Sequence, residues 1–413
     1  MSSLTGRGLG VSIARFAAPY SRALRTPGMP ALSLAVLLGF MAWSAASAYA
    51  PVWLATQLHL NSGMLATAFV CTGIAGATGS VIGGHAVARY GERRVMMAGS
   101  IGQCVVALAL FNSREPAGMA IGGLVCVTLL QPLRGVAQRT MLSRIAEEDE
   151  REFAFVTFRS AMNLGVLAGP ALMSVLLLVG WVAAHAGIIA AFLAAFGSAA
   201  MVAKGKTASG QTQADRAAER LSLTRMIRDP RLAALVLVTT GAWTLVSGIE
   251  IVLPAVATEH RQIPVAAWGA LYAAATAVIV AVQIPVGERM SKISIAPRLL
   301  IGAGALGVAL VPEIGLVGLA AVVFSLAMLV VGELIWGPPS EEIVVAAAGR
   351  GRRVEYLGVV GMSIWFGESC AGLIGFGVAD HVSVVVAWLS FLAVGAATAV
   401  IYYVLAVRIK PGR

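Results

Sequence analysis

Charged residues are scarce in this chain, and acidic residues are scarcer than basic ones. Asp, Glu, Lys and Arg make up 12% of the 413 residues, against roughly 25% in ordinary soluble domains. Hydrophobic residues make up 58%. Because so little charge cannot cover the surface of a soluble protein of this length, the composition indicates a protein embedded in a membrane.

Several kinds of chemical site are also missing from the sequence. The four cysteines lie in apolar stretches and have neither the spacing of a metal site nor that of a disulfide framework. The five histidines lie in loops or at the ends of apolar stretches, where they cannot form an intramembrane catalytic centre. The complete phosphate-binding motif, Gly-x-x-x-x-Gly-Lys-Ser/Thr, does not occur, which disfavours ATP-driven transport by this chain. We therefore predict no enzyme activity, no metal and no cofactor.

Apolar stretches long enough to cross a bilayer, which takes about 20 residues, recur along the chain. A polar, charged segment separates six of them from six more. The predicted spans are 31–55, 62–87, 95–113, 118–142, 156–180, 184–203, 231–257, 265–288, 298–312, 315–345, 356–379 and 382–407. The sequence thus predicts an all-α membrane protein with twelve transmembrane helices in two six-helix bundles.

The same pattern predicts the domain organisation. The predicted segments are a basic N-terminus 1–30, an N-terminal bundle 31–203, a linker 204–230, a C-terminal bundle 231–407 and a tail 408–413. The two halves also resemble each other. Gly-Glu-Arg-Arg at 91–94 follows the second span, and Gly-Glu-Arg-Met at 287–290 follows the eighth, which indicates pseudo-symmetric bundles.

The distribution of basic residues predicts the orientation. If the N-terminus lies in the cytosol, nearly all of the 30 Lys and Arg fall in cytosolic loops or at cytosolic helix ends, as the positive-inside rule requires. Arg114 and Arg261 fall on the other side, and Arg134 lies within a span. The net charge of +10 then reflects contact with the lipid bilayer and not with nucleic acid. The frequent use of Ala, Val and Arg suggests a bacterium, so we expect a multi-pass protein of the bacterial plasma membrane with both termini cytosolic.

The loop after the second span carries a family motif. It resembles the signature loop of the major facilitator superfamily of transporters: a glycine, three residues, Asp-Arg, one residue, a glycine and basic residues. The matching residues are Gly84, Arg89, Gly91, Arg93 and Arg94. Ala88 stands where the family has Asp, so the resemblance does not extend to the acidic half of the family's cytosolic latch. Gly91 permits a tight reversal, and we expect the arginines to face headgroups or the end of a neighbouring helix.

Two shorter runs point to one branch of that superfamily. Gly165, Gly169 and Pro170 in the fifth span resemble the fifth-helix motif of drug–proton antiporters, although the family's trailing glycines are absent. The glycines would form a groove for a partner helix, and the proline would kink the helix. The run 332–339 in the tenth span resembles multidrug efflux members. The resemblance implies two parallel six-helix bundles around a central cavity.

Four ionisable residues lie at membrane depth: Arg134, Glu250, Glu333 and Glu368. Each is costly in lipid unless it faces a cavity or a partner, so each is a candidate functional residue. Glu333 is our first choice for proton coupling because its surroundings match the efflux family; Glu368 is second, and Glu250 is a possible relay. The alternative for each is a static hydrogen bond between helices. None of these acids lies in the N-terminal half, so any coupling should run through the C-terminal half.

The predicted substrate cavity combines aromatic side chains with few polar groups. Helices 1, 4, 7 and 10 line the cavity in the superfamily, which implies contact with Trp43, Trp243 and Trp336, with Gln131 as a polar neighbour. Arg134 loosely resembles the fourth-helix arginine of proton antiporters, and alternatively pairs with an acid or extends toward the cytosol. Such a pocket suits amphipathic ligands.

These observations predict a secondary active transporter that exports a small amphipathic or drug-like compound in exchange for protons. Its partners would be that small molecule, protons and the bilayer, and we expect a monomer. A sugar or metabolite exporter is the alternative, although a sugar pocket would need more polar groups at membrane depth. A membrane sensor that binds a ligand without moving it is a more remote alternative.

Overall fold

The chain is helical throughout the part that the structure describes. The computed structural model describes residues 25–112, 117–145, 151–202, 229–259, 263–290, 292–314, 318–348 and 353–409. Most of the predicted N-terminal segment 1–30, of the linker 204–230 and of the tail 408–413 lies outside the described residues, as do Arg114 and Arg261.

The first half of the chain forms six long helices. They are α1 (Met29–Thr56), α2 (Ser62–Tyr90), α3 (Glu92–Asn112), α4 (Ala117–Ile145), α5 (Arg151–Leu177) and α6 (Trp181–Met201). Local sequence sets the ends of α2. The side chain of Asn61 accepts a hydrogen bond of 2.9 Å from the backbone of Met64 and caps the N-terminus. Gly91 ends the helix with φ of 82°, a conformation that disfavours residues with a side chain.

The second half is more interrupted. Its helices are α7 (Pro230–Ser247), α8 (Leu253–Glu259), α9 (Val265–Met290), α10 (Ile295–Val308), α11 (Leu319–Ala348), α12 (Arg353–Val360), α13 (Ser363–Gly372), α14 (Ala379–His381) and α15 (Val384–Ile409). A π-helix, Gly248–Val252, joins α7 to α8, and a second π-helix, Leu373–Val378, joins α13 to α14. Pro254 accounts for the first, because it has no N–H to continue the α-helical pattern.

Within the described residues, ten helices are long and apolar enough to cross a bilayer. Two predicted spans differ. In place of 298–312 the structure has α10, an apolar helix of 14 residues, followed by a 3₁₀ turn at Val311–Ile314. In place of 356–379 the helix breaks between α12 and α13, at Gly361, because glycine weakens a helix interior. The chain is a multi-pass membrane protein, and the total of twelve spans stays a prediction.

The helices pack as two lobes with matching arrangements. In the N-terminal lobe (α1–α6), α1 packs on α5 and α6, α4 packs on α2 and α3, and α3 packs on α6. In the C-terminal lobe (α7–α15), α7 packs on α13 and α15, α11 packs on α9 and α10, and α10 packs on α15. The lobes meet through α2 against α13 and through α5 against α9. The second lobe therefore repeats the helix pairing of the first.

Candidate functional site

The two membrane faces of the protein differ in charge. The face at which α1 begins and α15 ends has basic residues in the last turns of four helices, Arg89, Arg144, Arg289 and Arg408. We call it the basic face, and we call the other the opposite face.

The lobes are closed against each other toward the opposite face. The rings of Phe69 in α2 and Phe376 in the second π-helix stack with centroids 5.9 Å apart. On the other side of the boundary, the hydroxyl of Ser174 in α5 donates a hydrogen bond of 2.6 Å to the backbone oxygen of Ala266 in α9. Aromatic stacking of this kind contributes about 0.5–1.5 kcal/mol beyond the area it buries. Both pairs of helices at the lobe boundary are thus in direct contact at this end.

The lobes also touch nearer the middle of the membrane, where glycines of α2 leave room for side chains of α13. A methyl group at Gly76 of α2 would overlap the indole of Trp365 in α13, and one at Gly73 would overlap Ser369. Ser369 also bonds across the boundary, because its hydroxyl donates to the backbone oxygen of Val70 at 3.3 Å. Gly76 lies about 21 Å along α2 from its start at the opposite face, at 1.5 Å per residue. The contact between the lobes therefore reaches mid-membrane depth.

Glu368 lies in this contact. The hydroxyl of Thr72 in α2 donates a hydrogen bond of 2.9 Å to a carboxylate oxygen of Glu368 in α13. Thr72 is fully buried and Glu368 is half-buried. A membrane-depth acid of the C-terminal lobe is thus bonded to the N-terminal lobe in the closed arrangement.

The three membrane-depth carboxylates form one electrostatic group. Glu250 lies in the first π-helix and accepts a hydrogen bond from the hydroxyl of Tyr272 in α9. The charge of Glu250 acts on both Glu333 and Glu368. All three are half-buried, and Glu333 has no hydrogen-bond partner among the described residues. The two π-helices are in direct contact, because Val252 of the first fills the space that a side chain at Gly375 of the second would occupy.

Arg134 lies elsewhere, inside the N-terminal lobe. Its side chain is fully buried between α1 and α3, against Gly39 and Gly99, where a larger residue would not fit. It donates a hydrogen bond of 2.6 Å to Gln131, and Gln131 accepts another of 3.3 Å from Gln103. The structure therefore brings the predicted cavity residues Arg134 and Gln131 together and places both out of contact with the lobe boundary in this conformation.

The predicted aromatic residues occupy two places. Trp243 in α7 and Trp336 in α11 meet edge to face with ring centroids 5.8 Å apart. Trp336 is 4% exposed and also contacts Tyr402 of α15, whereas Trp243 is half-buried. Trp43 of α1 is half-buried and lies against Phe40. Trp43 and Trp243 are the more accessible of the three predicted tryptophans.

The signature loop makes ionic and polar contacts at the basic face. The guanidinium of Arg93 donates to the backbone oxygen of Ala200 in the last turn of α6, where the helix dipole favours a cation. Arg89 lies over the ring of Tyr90 at 5.4 Å. Arg94 is exposed, and nothing surrounds the Cβ positions of Gly84 and Gly91. The expected contact between a loop arginine and a neighbouring helix end is present at Arg93.

An ion pair beside this loop holds two helices of the N-terminal lobe together. Glu92 at the start of α3 pairs with Arg144 at the end of α4, with 2.7 Å between their charged atoms. In the C-terminal lobe the equivalent helices carry the charges in reverse, because the charge of Glu342 in α11 acts on Arg298 in α10. Between the lobes, Arg159 and Glu341 approach to 3.5 Å at the basic face, and both are exposed. This exposed pair contrasts with the buried contact toward the opposite face.

The fifth-helix motif packs directly on α1. Side chains at Gly165 and Gly169 would overlap the backbone of α1, and Pro170 is buried beside them. The hydroxyl of Ser44 in α1 bonds to the backbone oxygen of Gly165 at 3.3 Å. The two glycines thus allow α1 and α5 to approach closely.

The sequence did not reveal several residues of this site. Thr72, Trp365 and Ser369 contact the opposite lobe, and Tyr272 bonds to Glu250. The glycines of the second span were an available signal, because small residues at helical spacing allow another helix to approach closely. In the part of the chain that the structure describes, no cluster of His, Cys, Asp and Glu could hold a metal ion.

Comparison with known proteins identifies the family. The model of the Major Facilitator Superfamily matches residues 32–340. No curated protein sequence matches the chain. A crystal structure of a POT family transporter in complex with a thioalcohol conjugated peptide matches with a TM-score of 0.75 and 13% identity, covering 93% of this chain and 96% of that one. The nucleoside transporter NupG matches with a TM-score of 0.72 and 11% identity, covering 93% of this chain and 99% of that one. At such identities the likeness concerns the fold, while the family model spans most of the sequence. The chain therefore belongs to the Major Facilitator Superfamily of membrane transporters.

Proposed function

We propose that this transporter is a proton-coupled exporter of small amphipathic or drug-like compounds that works by alternating access. The observation that carries the proposal is the hydrogen bond between Thr72 and Glu368. It connects the charge state of a membrane-depth acid to the contact that closes one side of the protein. A coupled transporter needs such a connection, because ion binding must change the relative stability of its two conformations.

The orientation follows from the charge of the two faces. The positive-inside rule assigns the basic face, with Arg89, Arg144, Arg289 and Arg408, to the cytosol. We therefore place the protein in a bacterial plasma membrane with both termini cytosolic. In the described conformation the buried contact closes the periplasmic or external side. Contact between the lobes at the cytosolic side includes the exposed pair of Arg159 and Glu341.

The carboxylate cluster supplies the proton-binding capacity. The charge of Glu250 acts on Glu333 and on Glu368, and several negative charges together are costly at low dielectric. A proton that binds to any one of them lowers this cost, because it removes one of the charges. Glu333, which lacks a described hydrogen-bond partner, is our first choice for the carrier. Glu368 makes the hydrogen bond to the N-terminal lobe, and Glu250 acts electrostatically on both Glu333 and Glu368.

The transport cycle depends on whether the carboxylate cluster is accessible from the cytosol or from the outside. When the cytosolic side is accessible, protons leave the cluster and the substrate enters between the lobes. Ionised Glu368 is then a strong acceptor for Thr72. When the lobes rock and the external side opens, that bond breaks, the substrate leaves and protons enter from outside. The protons reduce the charge that must be enclosed when the external side closes again.

The accessible tryptophans suggest the kind of substrate. Trp43 and Trp243 belong to α1 and α7 and are both half-buried, which suits flat apolar or amphipathic molecules. Trp336, which packs edge to face against Trp243, would hold that ring in place. Arg134 and Gln131 are buried in this conformation, so we propose contact with substrate only after the lobes rearrange. One chain supplies all these residues, which supports a monomer as the transporting unit.

A vesicle assay tests the proposal. Purified protein in liposomes is given an acidic external side, and movement of ethidium, a lipophilic fluorescent cation, is followed. We expect gradient-driven transport by the wild type and by the control variant Glu342→Gln, whose residue is exposed at the basic face. Glu333→Gln and Glu368→Gln should each lose the dependence on the pH gradient. Unchanged gradient-driven transport in both variants would refute the coupling, and binding without transport would indicate a sensor. A panel of sugars and metabolites in the same vesicles tests the alternative substrate class.

A further inference from the structure

An open pocket of about 400 Å³ lies at the basic ends of three helices of the C-terminal lobe. It is bounded by the start of α7 and by the ends of α11 and α15. Arg231 contributes from α7 and Arg408 from α15, and small or aliphatic residues such as Ala234, Ala347 and Leu405 form the walls. The pocket lies outside the carboxylate cluster and the lobe boundary.

No carboxylate of the described residues pairs with the two arginines in this pocket. Among the described residues, neither Arg231 nor Arg408 takes part in an ion pair, and both are exposed. The nearest acid along the chain is Asp229, whose oxygens are already engaged. One accepts from the backbone of Arg231 and Leu232 at 3.1 and 3.4 Å, and the other accepts from the hydroxyl of Tyr356 at 2.7 Å. Within the described part of the chain, the pocket therefore presents two exposed guanidinium groups whose N–H donors no carboxylate occupies.

Apolar surface continues from the pocket toward the membrane. One or two turns further in, Leu237 of α7 is 66% exposed, and Val404 of α15 is 38% exposed. A soluble anion could bind the arginines but would make no favourable contact with the exposed aliphatic side chains. A phospholipid could use both, because its phosphate would meet the arginines and its acyl chains would cover the aliphatic residues.

We propose that this pocket binds the phosphate headgroup of an anionic phospholipid. Guanidinium groups suit phosphate oxygens because they offer paired N–H donors in a planar arrangement. A lipid bound here bridges α7, which leads into the π-helix with Glu250, and α11, which carries Glu333. The bound lipid stabilises the basic end of the C-terminal lobe.

Thermal unfolding of the purified full-length chain in a neutral detergent tests this site. The probes are dioleoyl-phosphatidylglycerol, dioleoyl-phosphatidylcholine and inorganic phosphate. We expect phosphatidylglycerol to raise the midpoint for the wild type and the other two probes to leave it unchanged. The variant R231Q/R408Q should bind phosphatidylglycerol about thirtyfold more weakly, since each basic group near a membrane surface contributes about 1 kcal/mol.

The control variant R289Q/K292Q removes two exposed positive charges from the same face. It should keep the response of the wild type. If phosphatidylglycerol raised the unfolding midpoint of R231Q/R408Q as much as that of the wild type, the proposal would be refuted. It would also be refuted if both double variants lost this stabilisation equally. Stabilisation by inorganic phosphate equal to that by phosphatidylglycerol would identify a free anion and refute the lipid. If R231Q/R408Q does not fold, native mass spectrometry of phosphatidylglycerol retained by the single variants R231Q and R408Q decides: unchanged retention in both relative to the wild type refutes the site.

Discussion

Thr72 of α2 donates a hydrogen bond of 2.9 Å to Glu368 of α13, and the two residues belong to different lobes. A carboxylate accepts such a bond more strongly than a carboxylic acid does. The bond therefore stabilises closure at the opposite face most when Glu368 is ionised. Because the two residues lie in different lobes, 296 positions apart in the chain, the bond forms only when the lobes are close together at this point.

Thr72→Val should weaken closure of the lobe boundary. The substitution keeps the shape of the side chain and removes the donor, and a hydrogen bond to a charged group contributes about 1.5–3 kcal/mol. We expect a shift of about ten- to hundredfold toward the conformation that is open at the opposite face. Spin labels at Met64→Cys and Val382→Cys, in a variant without the native cysteines, measure the two populations.

Two control substitutions accompany this experiment. Thr72→Ser keeps the hydroxyl and should behave like the wild type. Thr78→Val removes a hydroxyl that bonds only within α2 and is exposed, so it should leave the populations unchanged. Equal populations in Thr72→Val and the wild type would contradict a role for this bond in closure.

Gly76→Val should prevent the lobes from closing at the opposite face. Its side chain would collide with the indole of Trp365, and overpacking of this kind costs about 1–3 kcal/mol. We expect substrate transport to be lost and the label distances to be those of the open conformation. Gly122→Val in α4 is the matched control, because nothing lies near its Cβ position. Normal transport by Gly76→Val would show that the close approach is not required.

The ion pair between Glu92 and Arg144 should contribute to the stability of the N-terminal lobe. A double-mutant cycle with Glu92→Gln and Arg144→Gln isolates the interaction. Because the Arg144 side chain is 32% exposed, we expect a coupling free energy of only about 1 kcal/mol. The midpoint of thermal unfolding in detergent, at low and high salt, measures the coupling. Strictly additive effects of the two substitutions would mean that the pair contributes nothing.

Gly169→Val should separate α1 from α5 and lower thermal stability by about 1–3 kcal/mol. The reason is that the added side chain would meet Ser44 and the backbone of α1. Gly197→Val in α6 introduces the same side chain where no neighbour lies within contact distance, and it should be nearly neutral. A similar loss in both variants would indicate a general effect of replacing glycine in a helix.

Hydropathy and charge predicted most of the architecture because both act locally. The apolar runs gave the positions of α1 to α6 to within a few residues, and the polar segment divided the chain between two lobes with matching helix pairing. The break at Gly361 and the short α10 were not predicted. Hydropathy averages over a window and does not detect a single weak point in a helix.

The candidate site was less predictable because it depends on which helices face each other. Glu250, Glu333 and Glu368 were identified as costly in lipid, and in the structure the charge of Glu250 acts on each of the other two. Their partners Thr72 and Tyr272 are ordinary residues in sequence and gain importance only through packing. Trp336 was expected from its helix to line the cavity; in the structure it packs against Trp243 and Tyr402 and is 4% exposed, and its contact with a substrate stays a prediction.

The bare backbone of Gly73 and Gly76 against Trp365 and Ser369 has a consequence for the electrical insulation of the cell. Atoms of Ser369 and Trp365 lie 1.9 and 2.2 Å from the positions that a Cβ would take on Gly73 and Gly76. A water oxygen needs at least about 2.5 Å even to a hydrogen-bond partner, so water cannot occupy these positions either. We therefore expect liposomes that hold the protein in this conformation to be no more permeable to protons than protein-free liposomes.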